Sequence, residues 1–155
     1  MKGKTKKSFT VSKMVYLIIP VVAGFAIALQ NVFYNHIGKN VGVMGTVLTV
    51  HLFGLIFATI FFLFTKYTFK DLINNINWYM IVSGILGVIV VSGMTKSVSV
   101  NGLLVTIMLT VTAQLLLGKV ISHFGWFGVE QNPINWLQVL AILLMVSGVF
   151  IYQKS

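Results

Sequence analysis

The chain has 155 residues, 57% of them hydrophobic and only 8% charged, with a mean hydropathy of +0.96. That excludes an ordinary soluble domain, which is about a quarter charged, and a disordered chain, which needs many charges and few apolar residues. Eleven lysines against Asp71 and Glu130 give a net charge of +9, but five of the lysines precede residue 14, which leaves no basic face for nucleic acid.

The sequence predicts an all-α integral membrane protein. A basic cytoplasmic tail at 1–13 precedes a transmembrane domain at 14–155. A bilayer core about 30 Å thick takes about 20 apolar residues in a helix. Five runs meet that length, at about 14–33, 43–64, 78–95, 102–121 and 136–152. They hold no Asp, Glu or Arg, and they lack the period-2 alternation of strands. Helices satisfy their own backbone in lipid. Ala26-Ile27-Ala28 resembles a signal cleavage site, but the first run is long for a signal peptide.

Short linkers are expected at Asn35–Gly42, Thr65–Asn77, Lys96–Asn101 and His123–Asn135. Asn74, Asn75 and Asn77 resist helix in the second of these, and Pro133 precedes the last helix. With the N-terminus inside, eight lysines lie on the cytoplasmic side and three outside, and Trp78, Trp126 and Trp136 fall at the inner interface. The C-terminus is then outside. The tail is a topology determinant that could also bind anionic lipid.

A polar side chain in hydrocarbon is costly unless it is paired or faces a cavity. In the first run, Gly24, Ala28, Asn31 and Asn35 form a stripe, with Gln30 beside it. It suits either a helix lining a pathway or one packed on a neighbour. Pro20 makes a kink plausible there. His51 lies near the middle of the second run and shares a face with Gly54, Leu55 and Ala58, where another helix could approach closely. It is a candidate proton carrier or solute ligand, since imidazole titrates near neutral pH; otherwise it is a neutral, hydrogen-bonded core histidine. In the third run Ser83, Gly84, Gly87, Ser92 and Gly93 make a small-residue packing face. In the fourth, Thr106, Thr110, Gln114 and Gly118 recur every fourth residue. Threonine hydroxyls can bond their own helix, whereas the Gln114 amide wants several partners and favours a cavity. Lys119 and Lys96 are placed to snorkel.

The absence of cysteine removes disulfides, thiol catalysis and thiolate metal sites. No HExxH, GxSxG or phosphate-loop motif is present, and no carboxylate pair. The reading is therefore not an enzyme, with no cofactor and no metal site.

The polar positions carry a resemblance. Gly24-Phe-Ala-Ile-Ala-Leu-Gln30-Asn-Val-Phe-Tyr-Asn35 resembles the opening helix of the YdcZ-like branch of the drug/metabolite transporter superfamily. Ser83-Gly84-Ile-Leu-Gly87 is similar to its third helix. Ala113-Gln114 with His123-Phe124-Gly125 resembles its fourth, and Leu144-Met-Val-Ser147-Gly148-Val its last. The resemblance runs from about Leu17 to Tyr152. The chain departs from the branch at Ser122, where an Asp is usual, at Ala113 for Gly, and at His51 for Ser. It also lacks the membrane-embedded Glu of the small multidrug resistance relatives, so their route for exporting cationic drugs is not expected.

The resemblance implies one half of a ten-helix inverted-repeat architecture, completed by an antiparallel homodimer or by a heterodimer with a paralogue. The expectation is a bacterial plasma-membrane secondary transporter, exporting a small metabolite or drug-like solute by alternating access. Gln30, Asn31, Asn35, His51, Thr110 and Gln114 are the candidate solute-binding residues. The alternative is a scaffold or auxiliary subunit that transports nothing.

Overall fold

The computed structural model describes residues 3–154, with side chains from Tyr16 onward. The lysine side chains of the expected basic tail, and Lys2 altogether, lie outside the described residues. All regular structure among the described residues is helical: α1 (Gly3–Phe62), α2 (Phe69–Asn74), α3 (Trp78–Asn101), α4 (Leu103–Phe124), a single 3₁₀ turn (Trp126–Gly128) and α5 (Trp136–Lys154). Four stretches are long and apolar enough to cross a membrane: Tyr16–Phe62, Trp78–Asn101, Leu103–Phe124 and Trp136–Lys154.

The first of these, at 47 residues, would extend about 70 Å as a straight helix, more than twice a bilayer core of about 30 Å. It is not straight. Gly42 has φ 73° and ψ 176°, a conformation essentially reserved for glycine. A Cβ on Gly38 would lie 3.5 Å from Thr46 Oγ1, whereas eight residues of continuous helix separate two positions by about 12 Å. Segments 3–41 and 43–62 therefore turn back on each other at Gly42. The linker expected at Asn35–Gly42 is corrected accordingly: helix continues through residue 41 and one residue makes the turn. Pro20 lies inside the helix without interrupting its dihedrals, so the break is at glycine, not proline.

The other junctions follow from capping. Thr68 and Asp71 form a reciprocal capping box that starts α2, with Asp71 N–H donating to Thr68 Oγ1 at 3.2 Å and Thr68 N–H to Asp71 Oδ2 at 2.8 Å. Thr68 Oγ1 also donates to Asp71 Oδ2 at 2.7 Å. The exposed Asp71 carboxyl is held below its ordinary value by the side-chain bond from Thr68 and then by the backbone one. Of the three asparagines expected to resist helix, Asn74 ends α2, while Asn75 donates to Asp71 O at 2.7 Å and Asn77 Oδ1 caps the start of α3 through Met80 N–H. The turn expected at Lys96–Asn101 is helical to its last residue, and Gly102 alone, at φ 80°, separates α3 from α4. At α5, Asn135 Oδ1 accepts from Leu137 N–H at 2.7 Å, and Gln138 Oε1 accepts from Asn135 N–H at 3.1 Å.

The chain divides into two compact units, Met1–Lys96 and Ser97–Ser155. In the first, Tyr34, Val47, Val91 and Met94 form the core with Val50 packed against it. Both segments of α1 and one face of α3 thus share it. In the second, α4 packs on α5. Most large apolar side chains are exposed, as lipid-facing helices require.

Candidate functional site

Polar groups within these helices fall into two classes. Most hydroxyls are satisfied by their own helix, while Ser97 Oγ and Thr106 Oγ1 also bond each other between α3 and α4, at 3.0 Å. Thr46, Thr49, Thr95, Thr106, Thr110 and Thr112 each donate to the carbonyl four residues earlier, at 2.7–3.0 Å. Thr110, a candidate ligand from sequence, bonds Thr106 O at 2.8 Å in this way.

The amides of the first unit behave differently. Asn31 is 1% exposed, and its Nδ2 has no hydrogen-bond partner. One turn later, half-buried Asn35 has an unpartnered, buried Oδ1. One is a donor and the other an acceptor, on one face of the helix. They flank Tyr34, which packs in the core with Val47 and Val91. Each unpaired buried group costs about 1–3 kcal/mol. Gln30, their neighbour in sequence, is exposed on another face. The stripe holds only in part: Ala28 is half-buried, but a Cβ on Gly24 would meet nothing within 4 Å.

His51 is half-buried on the second segment of α1. Its Nδ1 lies 2.8 Å from Val47 O. A carbonyl only accepts, so Nδ1 carries a proton there, and Nε2 of a neutral ring in this tautomer is an acceptor. That Nε2 lies 3.1 Å from where a Cβ on Gly87 would be. The close approach expected at Gly54 therefore occurs at Gly87 of α3, while Cβ atoms on Gly54, Gly84 and Gly93 would all meet open space. Counted from the turn at Gly42, Asn35, His51 and Asn31 lie about 10, 13 and 16 Å along their segments. The donor, the acceptor and the imidazole thus occupy neighbouring levels of one hairpin.

Gln114 belongs to the second unit. It lines a groove of about 440 Å³ between α4 and α5, with Leu115, Gly118, Lys119, Ser122 and Gln138 among its other walls. Lys119 was expected to snorkel. Its ammonium donates to the main-chain carbonyls of Asn132 and Pro133, in the loop at the helix end, at 3.0 and 3.3 Å. The loop after α4 is pinned to the helix end by further bonds. Asn132 N–H donates to Ser122 O at 2.8 Å, Gln131 Nε2 to His123 O at 3.2 Å, and Ile134 N–H to His123 Nδ1 at 3.1 Å. Sequence reasoning missed this arrangement, although clustered polar residues from His123 to Asn135 were its signal. A second cavity between α4 and α5, of about 290 Å³, contains no charged side chain and only Thr112 and Gln153 as polar lining.

Among the described residues no group of His, Asp or Glu could hold a metal ion. No curated protein matches the chain, and no solved structure does. One family does, over nearly all of the apolar chain. It is a family of membrane exporters, which places the chain among multi-pass plasma-membrane transport proteins. The family described as "Putative inner membrane exporter, YdcZ" matches residues 15–151, and the chain belongs to it.

Proposed function

We propose that this protein exports a small neutral or anionic solute by alternating access, and that Asn31, Asn35 and His51 hold the solute. The observation that carries the proposal is the unpartnered pair, Asn31 Nδ2 and Asn35 Oδ1. A buried donor and acceptor left open cost stability, and a solute offering the complementary acceptor and donor would satisfy both. His51 Nε2, seated against Gly87 of α3, offers one more acceptor at a neighbouring level of the same hairpin. The chain has two acids, Asp71 and Glu130, and neither lies in a long helix, so a cationic solute would find no counter-ion there.

In this reading the two segments of α1 each cross the membrane, which makes five crossings with the N-terminus inside and the C-terminus outside. Five helices are half of an inverted-repeat transporter, so the working unit is a dimer. An antiparallel homodimer would set one copy against the lysine bias of eight to three; an oppositely biased paralogue would relieve that conflict.

The test is flux through the purified full chain in liposomes, using radiolabelled uncharged, anionic and cationic solutes of metabolite size. Transport of neutral or anionic members that falls at least tenfold in Asn31→Leu or Asn35→Leu supports the reading. Uptake confined to cations would overturn the solute class. No flux of any solute, with no stabilisation by any of them, from the chain alone or with its paralogue, would favour a scaffold.

A further inference from the structure

The groove between α4 and α5 is lined by residues of the second unit. Its walls change character along its length. Lys119, Ser122, Asn132 and Gln138 lie at the end that carries the loop; Leu115, Ile142 and Met145 lie farther along the helices, with Gln114 the one polar side chain among them. From Gln114 to Ser122 it follows α4 for about 12 Å. Among the described residues Lys119 is the one charged residue lining it, and no carboxylate joins it there. The carbonyls of Asn132 and Pro133 that orient the ammonium are themselves uncharged. An ammonium has three donors, and these bonds occupy two. Trp136, largely exposed, and Trp126, about half exposed, lie at the same end, as tryptophans do at the headgroup level of a bilayer.

We infer that this groove is a binding site for an anionic membrane lipid, with its phosphate at Lys119, since the Ser122 hydroxyl already donates to Glu130 O at 3.4 Å, and with the upper part of one acyl chain along Leu115, Ile142 and Met145. Charge selects the occupant. Among the described residues the 290 Å³ cavity on the same helix pair has only Thr112 and Gln153 as polar lining and no cation, so it offers an anionic headgroup no charge. Bound there, the lipid would bridge α4, α5 and the loop at 125–135, and so stabilise the second unit.

The test is thermal unfolding of the purified full chain in neutral detergent, titrated with dioleoyl phosphatidylglycerol, with dioleoyl phosphatidylcholine, or with glycerol phosphate alone. Phosphatidylglycerol should raise Tm by several degrees and saturate, and the other two should leave it unchanged. Lys119→Gln should abolish the shift and Lys119→Arg should keep it. Because Lys119 also holds the loop, a second variant guards against misfolding. A Cβ on Gly118 meets nothing within 4 Å, so Gly118→Leu fills the groove from one wall and leaves Lys119 in place; it should fold normally and lose the shift. Equal stabilisation by both lipids, or a full response in Gly118→Leu, overturns the site. An equal response to glycerol phosphate overturns the lipid and assigns a soluble anion.

Discussion

The His51 imidazole lies with Nε2 3.1 Å from the position of a Cβ on Gly87. The contact joins the second segment of α1 to α3 and uses the absence of a side chain on α3 to seat the ring. Gly87→Ala is tight, and the ring must shift by a few tenths of an ångström. Gly87→Leu has no such remedy and should cost about 1–3 kcal/mol, in the range for overpacking. Adding His51→Ala should recover part of that loss. A double-mutant cycle on denaturant unfolding in detergent should show coupling of about 0.5–3 kcal/mol; additive effects would show that ring and helix do not meet. If His51 carries the coupling proton, His51→Ala should abolish the dependence of uptake on a pH gradient.

Asn31 and Asn35 should separate stability from function. Replacing either with leucine removes an unpartnered buried polar atom, so stability should be unchanged or rise by about 1 kcal/mol while transport falls. Thermal unfolding and flux on the same preparations check this. A large loss of stability in Asn31→Leu would mean that its amide is structural.

Gly42 turns the chain with dihedrals that a Cβ disfavours. Gly42→Ala should destabilise by about 1–3 kcal/mol. Gly24→Ala, in regular helix with open space around its Cβ, should be neutral or slightly stabilising. Comparing the two unfolding curves separates the strained turn from a general effect of added methyl groups.

The Thr68–Asp71 box predicts a local pH response. Both bonds from Thr68 lower the Asp71 carboxyl's pKa. The ionised form therefore stabilises α2 above the unfolded value of about 3.9, and that contribution disappears as the pH falls through the lower folded value. Thr68→Ala should loosen α2, as loss of a cap typically does by about 1 kcal/mol. Faster amide exchange in 69–74, with 78–101 unchanged, is the expected result.

Much of this architecture was legible in the residues. Long apolar runs fixed a helical membrane protein because hydrophobic length and scarce charge are properties of each segment, independent of its neighbours. The starts of α3 and α5 were readable for the same reason, since Asn77 and Asn135 cap locally. The quoted motifs carried the family. The linkers were harder. Polar residues at 35–41 and 96–101 look like loop, yet both stretches are helix, and single glycines at 42 and 102 carry the breaks.

Which polar residues stand ready to bind anything was decided only by tertiary structure. Thr110 and Asn31 are equally polar on paper. The threonine reaches a carbonyl one turn back along its own helix, so its needs are met wherever the helix goes. The asparagine is buried by the packing of the first unit and is left there with an open donor. The opposite holds for Lys119, whose place on α4 was plain but whose partners come from a loop 13 and 14 residues away. A local bond is written in the spacing of residues, whereas burial and long-range pairing depend on which helices meet.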